Sequence, residues 1–190
     1  MTYFILTEKN NSIMRKLKNC ELGRKTTEEF KNTEKISVTV VLDNIRSMNN
    51  IGSVFRTSDA FLIEKIFLCG ITARPPHNDI RKTALGATES VDWEYYEKTE
   101  ELIELLKKNK YEIISVEQAQ GSIMLNDFDV KSSRKYALIF GNEVKGVQQK
   151  VVDISDYCIE IPQEGTKHSL NISVSAGIVL WDFYRRIKNN

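Results

Sequence analysis

The sequence predicts an α/β domain built on a mainly parallel sheet flanked by helices. Three observations carry that prediction. Several runs of β-branched and aromatic residues are unbroken rather than alternating, as in strands buried on both faces. Segments with apolar residues at helical spacing separate these runs. Glycine or proline closes three of them, at Gly70, Gly141 and Pro162.

In chain order, residues 1–35 stand apart. Eight Lys and Arg against five Glu give this stretch a net +3 and leave −2 for the remainder. Apolar residues are sparse there and no long period holds. Thr26 and Glu29 have capping-box spacing. The reading is a basic N-terminal arm with one or two short helices, ahead of a domain at 36–190. Two roles stay open for the arm, a solvated tail or a surface that contacts RNA or a partner. Residues 36–42 (ISVTVVL) form the first strand. Residues 43–50 are polar and loop-like. Ile51, Val54, Phe55, Ser58, Phe61 and Leu62 then fall at helical spacing.

A second strand is expected at 65–69. After it come a Pro75-Pro76 loop, a short helical stretch ending near Gly86, and an extended segment at 91–96. Residues 101–108 make an amphipathic helix with Leu102, Ile103, Leu105 and Leu106 on one side. Strands at 111–116 and 136–140, a short helix at 148–152 and a fifth strand at 157–161 follow. From Ser169 to about Ile187 the pattern is helical again, with Leu170, Val174, Ile178, Trp181 and Tyr184 in step.

Composition excludes other classes. The chain has 190 residues, 41% hydrophobic and 28% charged, with a net charge of +1. That is a soluble globular composition, not a disordered, collagen-like or membrane one. Such a chain builds its core without a disulfide or metal. Any positive charge meant for nucleic acid must be local. Cys20, Cys69 and Cys158 lie far apart, and His77 and His168 are the only histidines, so no disulfide framework or zinc site is readable. Met1–Leu6 is too short for a signal peptide and no apolar run approaches ~18 residues, so a cytoplasmic location is expected.

In open α/β sheets, ligands bind beyond the carboxyl ends of the strands. Three such ends here are rich in glycine and polar residues. They are residues 49–56 after the first strand, 141–146 after the fourth and 162–171 after the fifth. No G-x-G-x-x-G follows the first strand, and neither a Walker A loop nor a G-x-S-x-G elbow occurs. A dinucleotide dehydrogenase, a P-loop enzyme and an α/β-hydrolase are therefore poor readings.

These three segments, in this order, resemble the motifs of the SpoU (TrmH) family of RNA 2′-O-ribose methyltransferases, within the SPOUT superfamily. The first is Asn50-x-Gly52-x-x-x-Arg56, and the second is Phe140-Gly141-Asn142-Glu143-x-x-Gly146. The third runs from Ile161-Pro162 through Gly165 to Ser169-Leu170-Asn171-x-Ser173-x-Ser175. Residues 82–87 (KTALGA) resemble a shorter family element. The match spans about four-fifths of the chain.

The resemblance implies a SPOUT-type fold with a C-terminal deep trefoil knot, although general connection rules argue against knots. It also implies S-adenosylmethionine as cofactor, a homodimer and no metal. The substrate would be RNA, with transfer RNA favoured over ribosomal RNA. As catalytic residues it marks Arg56, Asn50, Ser169, Asn171 and Glu143; as cofactor-binding residues Gly141, Ile161 and Leu170, the last two through main-chain groups. Asn50 and Ser169 also read as plain helix N-caps. An arginine acting as general base is at odds with a free guanidinium pKa above about 12. Arg56 is better suited to orient phosphate and stabilise a forming alkoxide. Two other readings remain, a non-catalytic RNA-binding protein on the same scaffold and a SPOUT enzyme that methylates a base nitrogen.

Overall fold

Strand β1 (Ile36–Asp43) is buried along nearly its whole length, and the sheet extends from it on both sides. The computed structural model describes residues 14–189. Beside β1 lie β2 (Ile63–Cys69) and then β3 (Trp93–Tyr96). On its other side come β6 (Lys135–Phe140), β4 (Tyr111–Val116), β7 (Tyr157–Glu160) and the two-residue β5 (Ile123–Met124). The order is β3-β2-β1-β6-β4-β7-β5, and every neighbouring pair is parallel. The expected strands are all present; β5 had no counterpart in the sequence reading.

Strand alternation divides the core in two. Val38, Val40 and Leu42 of β1, with Tyr136, Leu138 and Phe140 of β6, face one layer. That layer holds α2 (Met48–Ala60), α3 (Asn78–Ala84), α4 (Ala87–Ser90) and α7 (Ile172–Asn189). Val41, Ala137 and Ile139 face the opposite layer, with α5 (Thr99–Lys108) and α6 (Gln149–Asp153). Both faces are covered, as an all-parallel sheet requires.

The described part of the arm contains one turn of 3-10 helix (Asn19–Glu21) and α1 (Thr27–Asn32). Its first 13 residues lie outside the described residues. The predicted capping box is present: the Glu29 N–H donates to Thr26 Oγ1 at 3.2 Å, and Glu29 Oε2 accepts the Thr26 N–H at 2.7 Å. Phe30 is buried in the first core layer, so α1 is docked rather than solvated. Lys35 Nζ donates to the Phe30 and Thr33 carbonyls and closes the carboxyl end of α1.

Gly52 explains why α2 and α3 touch. A Cβ there would lie 2.1 Å from Thr83 Oγ1 and 2.3 Å from the Ile80 carbonyl oxygen. Thr83 Oγ1 in turn donates to the Asn49 carbonyl at 3.0 Å. At the far end of α2, Phe61 meets Trp181 and Tyr184 of α7, each with ring centroids 5.6 Å apart. The segment from the end of β6 to the start of α7 carries α6 and β7. The knot implied by the resemblance would lie in this segment.

A buried carboxylate anchors the carboxyl edge of the sheet. Asp43, the last residue of β1, has no solvent exposure. Its Oδ1 accepts from Thr99 Oγ1 at 2.5 Å, Asn44 Nδ2 at 2.9 Å and Gln148 Nε2 at 3.0 Å; Oδ2 accepts the Gln148 N–H at 3.3 Å. One side chain thus joins the ends of β1, the start of α5 and the entry to α6. Asp43→Ala should cost roughly 3 kcal/mol, since each buried donor left unpaired costs about 1–3 kcal/mol. Urea denaturation of the two proteins checks this; a loss under about 0.5 kcal/mol, the range of an ordinary surface change, would contradict it.

Candidate active site at the carboxyl edge of the sheet

The turn after β6 is closed by its own backbone. Asn142 and Gly146 exchange two main-chain hydrogen bonds, at 3.0 and 2.8 Å. Asn142 Oδ1 accepts the N–H groups of Val144 and Lys145 at 3.0 and 3.1 Å, and Asn142 Nδ2 donates to the Asn44 carbonyl at 2.7 Å. Gly146 has φ +67°, where a side chain is strained. At Gly141 the limit is space: a Cβ would lie 2.0 Å from the Val147 nitrogen.

From this turn Glu143 reaches the start of α2. Its carboxylate accepts the N–H groups of Arg46 and Ser47, both at 3.0 Å, and Asn50 Nδ2 at 3.1 Å. Partial burial would raise the Glu143 carboxyl, but these donors outweigh it and hold the group below the ordinary carboxylate range. The second motif is thereby tied to the first.

A cleft of about 1060 Å³ opens along this edge. It is lined by Gly141, Glu143, Ile161, Ser169, Leu170 and Asn171, six of the eight residues singled out from the sequence. Val116, Phe140 and Ile159 add an apolar floor; Glu117 and Gln118 add a polar wall. Residues 162–170 are all exposed. Among the described residues they make no hydrogen bond, so their main-chain groups are available to a ligand. His168 and Lys145 stand on the same cleft. His77 instead caps α3, its Nδ1 accepting the Asp79 N–H at 3.2 Å.

Asn50 and Arg56 do not line the cleft. Asn50 is no helix cap either: Ser47 is, its Oγ accepting the Asn50 N–H at 3.3 Å. Asn50 sits inside α2, one contact away from the cleft through Glu143. Arg56 is exposed on α2, and its side chain makes no hydrogen bond or ion pair to the described residues. The last helix is capped by Asn171 rather than Ser169. Asn171 Oδ1 accepts the Ser173 N–H at 2.8 Å and the Ser173 hydroxyl at 2.6 Å. Ser169 remains in the free loop.

Sequence reasoning passed over Glu117 and gave no role to Asn142. For Asn142 the signal was an amide directly after a strand-ending glycine, a position that favours Asx turns. For Glu117 it was only a carboxylate at the carboxyl end of a strong strand.

Glu143→Gln tests the tie between motifs. A depressed carboxyl contributes stability that is complete above the unfolded value of about 4.3 and is lost as pH falls through the lower folded value. The wild type should therefore be more stable than the variant at pH 7, with the difference closing below pH 4. Urea midpoints between pH 7 and 3 measure it; a pH-independent difference would contradict the assignment.

Comparison with known proteins gives a consistent set. The model of the SpoU rRNA Methylase family matches residues 37–181. An uncharacterized tRNA/rRNA methyltransferase of Borreliella burgdorferi is 31% identical over 183 residues, covering 95% of this chain and 76% of that protein. A Staphylococcus haemolyticus protein assigned to the TrmH family of tRNA/rRNA methyltransferases is 27% identical over 157 residues, covering 82% of this chain and 61% of that one. Among solved structures, the AdoMet-bound rRNA methyltransferase of Sinorhizobium meliloti has a TM-score of 0.75 at 26% identity, over 82% of this chain and 59% of that one. The A. aeolicus TrmH/SpoU tRNA modifying enzyme has a TM-score of 0.76 at 24% identity, over 86% and 81%, a likeness of fold. The chain thus spans about three-fifths of the staphylococcal and S. meliloti proteins.

Proposed function

The chain belongs to the SpoU rRNA Methylase family, and on that footing we propose that it transfers the methyl group of S-adenosylmethionine to a ribose 2′-hydroxyl of a structured RNA, transfer RNA ahead of ribosomal RNA. The observation that carries the reading is the meeting of the 141–146 and 161–171 segments in one cleft, with Glu143 linking that cleft to the Asn50–Arg56 motif.

The cleft suits the cofactor. Its volume is ample for a ligand of that size, since small-molecule sites run from about 300 to 1,000 Å³. Ile161 and Leu170 offer apolar surface for an adenine. The unpaired main-chain groups of 162–170 offer donors and acceptors for its edge and for the amino-acid tail. Bound there, S-adenosylmethionine supplies a methyl group already activated on a sulfonium.

The chain itself must align the 2′-oxygen with that methyl and ease loss of the alcohol proton. Alignment of this kind is worth about 7–11 kcal/mol of barrier. Ser169 and Asn171, at the amino end of α7, help to position RNA and donor. Arg56 orients the phosphate and stabilises the forming 2′-alkoxide, and Asn50 with Glu143 holds the start of its helix. A 2′-hydroxyl acceptor also separates RNA from DNA.

Arg56 lies outside the cleft of its own chain, so we take the working unit to be a homodimer in which a second copy brings its α2 to the cleft. An apolar stripe on α7 supports this: Val174, Ile178 and Trp181 are exposed, Trp181 to 51%. Gly177 lies within the same stripe, and a Cβ there would meet nothing within 4 Å. RNA affinity would come from basic residues of the arm and rim. Arg15, Lys16, Lys18, Arg74, Arg81 and Lys82 are the candidates, and binding should weaken with salt. Exposed pairs such as Arg15–Glu21 and Lys82–Asp79 hold them only weakly.

Three outcomes test the reading. Digested RNA from cells with and without the gene, compared by mass spectrometry, should differ by a ribose-methylated nucleoside; a methyl on a base nitrogen, or no difference, overturns it. Arg56→Ala should bind S-adenosylmethionine with wild-type affinity in calorimetry and lose methyl transfer by about a hundredfold or more, the scale of one electrostatic group at a reacting oxygen. Full activity would remove Arg56 from the mechanism. Removing residues 1–24, which spares the docked α1, should weaken RNA binding and leave donor binding intact. Unchanged RNA affinity would make the arm a plain solvated tail.

A further inference from the structure

Glu117 follows directly on β4 and belongs to none of the motifs, yet three walls of the cleft meet at it. Its N–H donates to the Ile159 carbonyl at 3.0 Å, joining the end of β4 to β7. Its Oε1 accepts the N–H of Gln118 at 2.8 Å. Its Oε2 crosses to the turn after β6 and accepts the N–H of the buried Val147 at 2.9 Å. The same oxygen occupies the space over Gly146, where a Cβ would lie 2.1 Å from it. Gly146 therefore answers to two constraints at once, its positive φ and the carboxylate above it.

We infer that Glu117 is a positioning residue of the cofactor cleft: it pins the 141–147 turn to the ends of β4 and β7, and so sets the width of the space between Gly141 and Ile161. This rests on the methyltransferase reading above. The turn closes on itself through Asn142 and Gly146, but those bonds are internal to it and do not fix where it stands. The link to Asn44 and the link from Glu143 hold its β1 side. Glu117 is the side chain that holds its β4 side. Charge-assisted hydrogen bonds of this type are the stronger ones, and a buried N–H that loses its acceptor carries the full cost of desolvation.

The test uses the full chain, with S-adenosylmethionine as the probe in titration calorimetry and with steady-state methyl transfer. Glu117→Gln is isosteric but keeps only one acceptor oxygen for two N–H groups. It should bind S-adenosylmethionine about tenfold more weakly, the scale of one lost charge-assisted hydrogen bond. The KM for the donor should rise by the same factor, with kcat at saturating donor and RNA affinity unchanged. A merely structural residue would lower the melting temperature without that split. Gly146→Ala presses on the same carboxylate from the other side and serves as a second, independent variant. It should weaken donor binding too. Donor affinity of both variants within twofold of wild type would overturn the inference while leaving the methyltransferase reading intact. A wild-type chain that binds no S-adenosylmethionine would overturn both.

Discussion

A buried carboxylate at the end of the central strand is the contact on which the site depends. A parallel sheet delivers every strand-to-helix connection to one edge, so many main-chain N–H groups there fall outside the ladder and need acceptors. Asp43, without solvent at the centre of that edge, accepts one such group, the Gln148 N–H, and ties three connections together through the side-chain donors of Asn44, Thr99 and Gln148. Around it the same solution recurs. Glu143 takes two N–H groups at the start of α2, and Glu117 takes two beside the turn after β6. Asn142 takes two more within that turn. The cleft is the space left between connections fixed in this way.

This arrangement separates two electrostatic tasks. The carboxylates that shape the cleft spend their acceptor capacity on backbone donors, so they act as anchors. Basic residues of the arm and of the 74–82 region do not line the cleft, and there a polyanion would be met at long range.

Much of this was legible in the sequence. The strands were, because unbroken runs such as 36–42 and 111–116 match burial on both faces. The capping box of α1 was, because Thr26 and Glu29 are both exposed and nothing competes with their local bonds. Strand β5 was not, since two residues carry no pattern and its pairing with β7 is a tertiary event. Both helix starts were placed on the wrong residue. In the runs Ser47-Met48-Asn49-Asn50 and Ser169-Leu170-Asn171 several side chains can cap, and packing of Ile51 and Ile172 in the core selects among them. Six of the eight residues singled out line one cleft, and Asn50 and Arg56 do not. Glu117 escaped because a carboxylate after a strand looks like a surface group until the turn after β6 folds over it. The position of Arg56 escaped for a different reason: a sequence gives the order of motifs along the chain, not the distance between them in space, and Arg56 stands outside the cleft of its own chain.

The central claim is that these anchored connections form the seat of a methyl donor. The most direct measurement is a crystal structure of the chain grown with S-adenosylmethionine. The account predicts adenosine density between Gly141, Ile161 and Leu170, with the sulfonium side open toward an Arg56 guanidinium of one copy or the other. Density elsewhere on the surface, or a donor seated with every Arg56 remote from its methyl group, would contradict it.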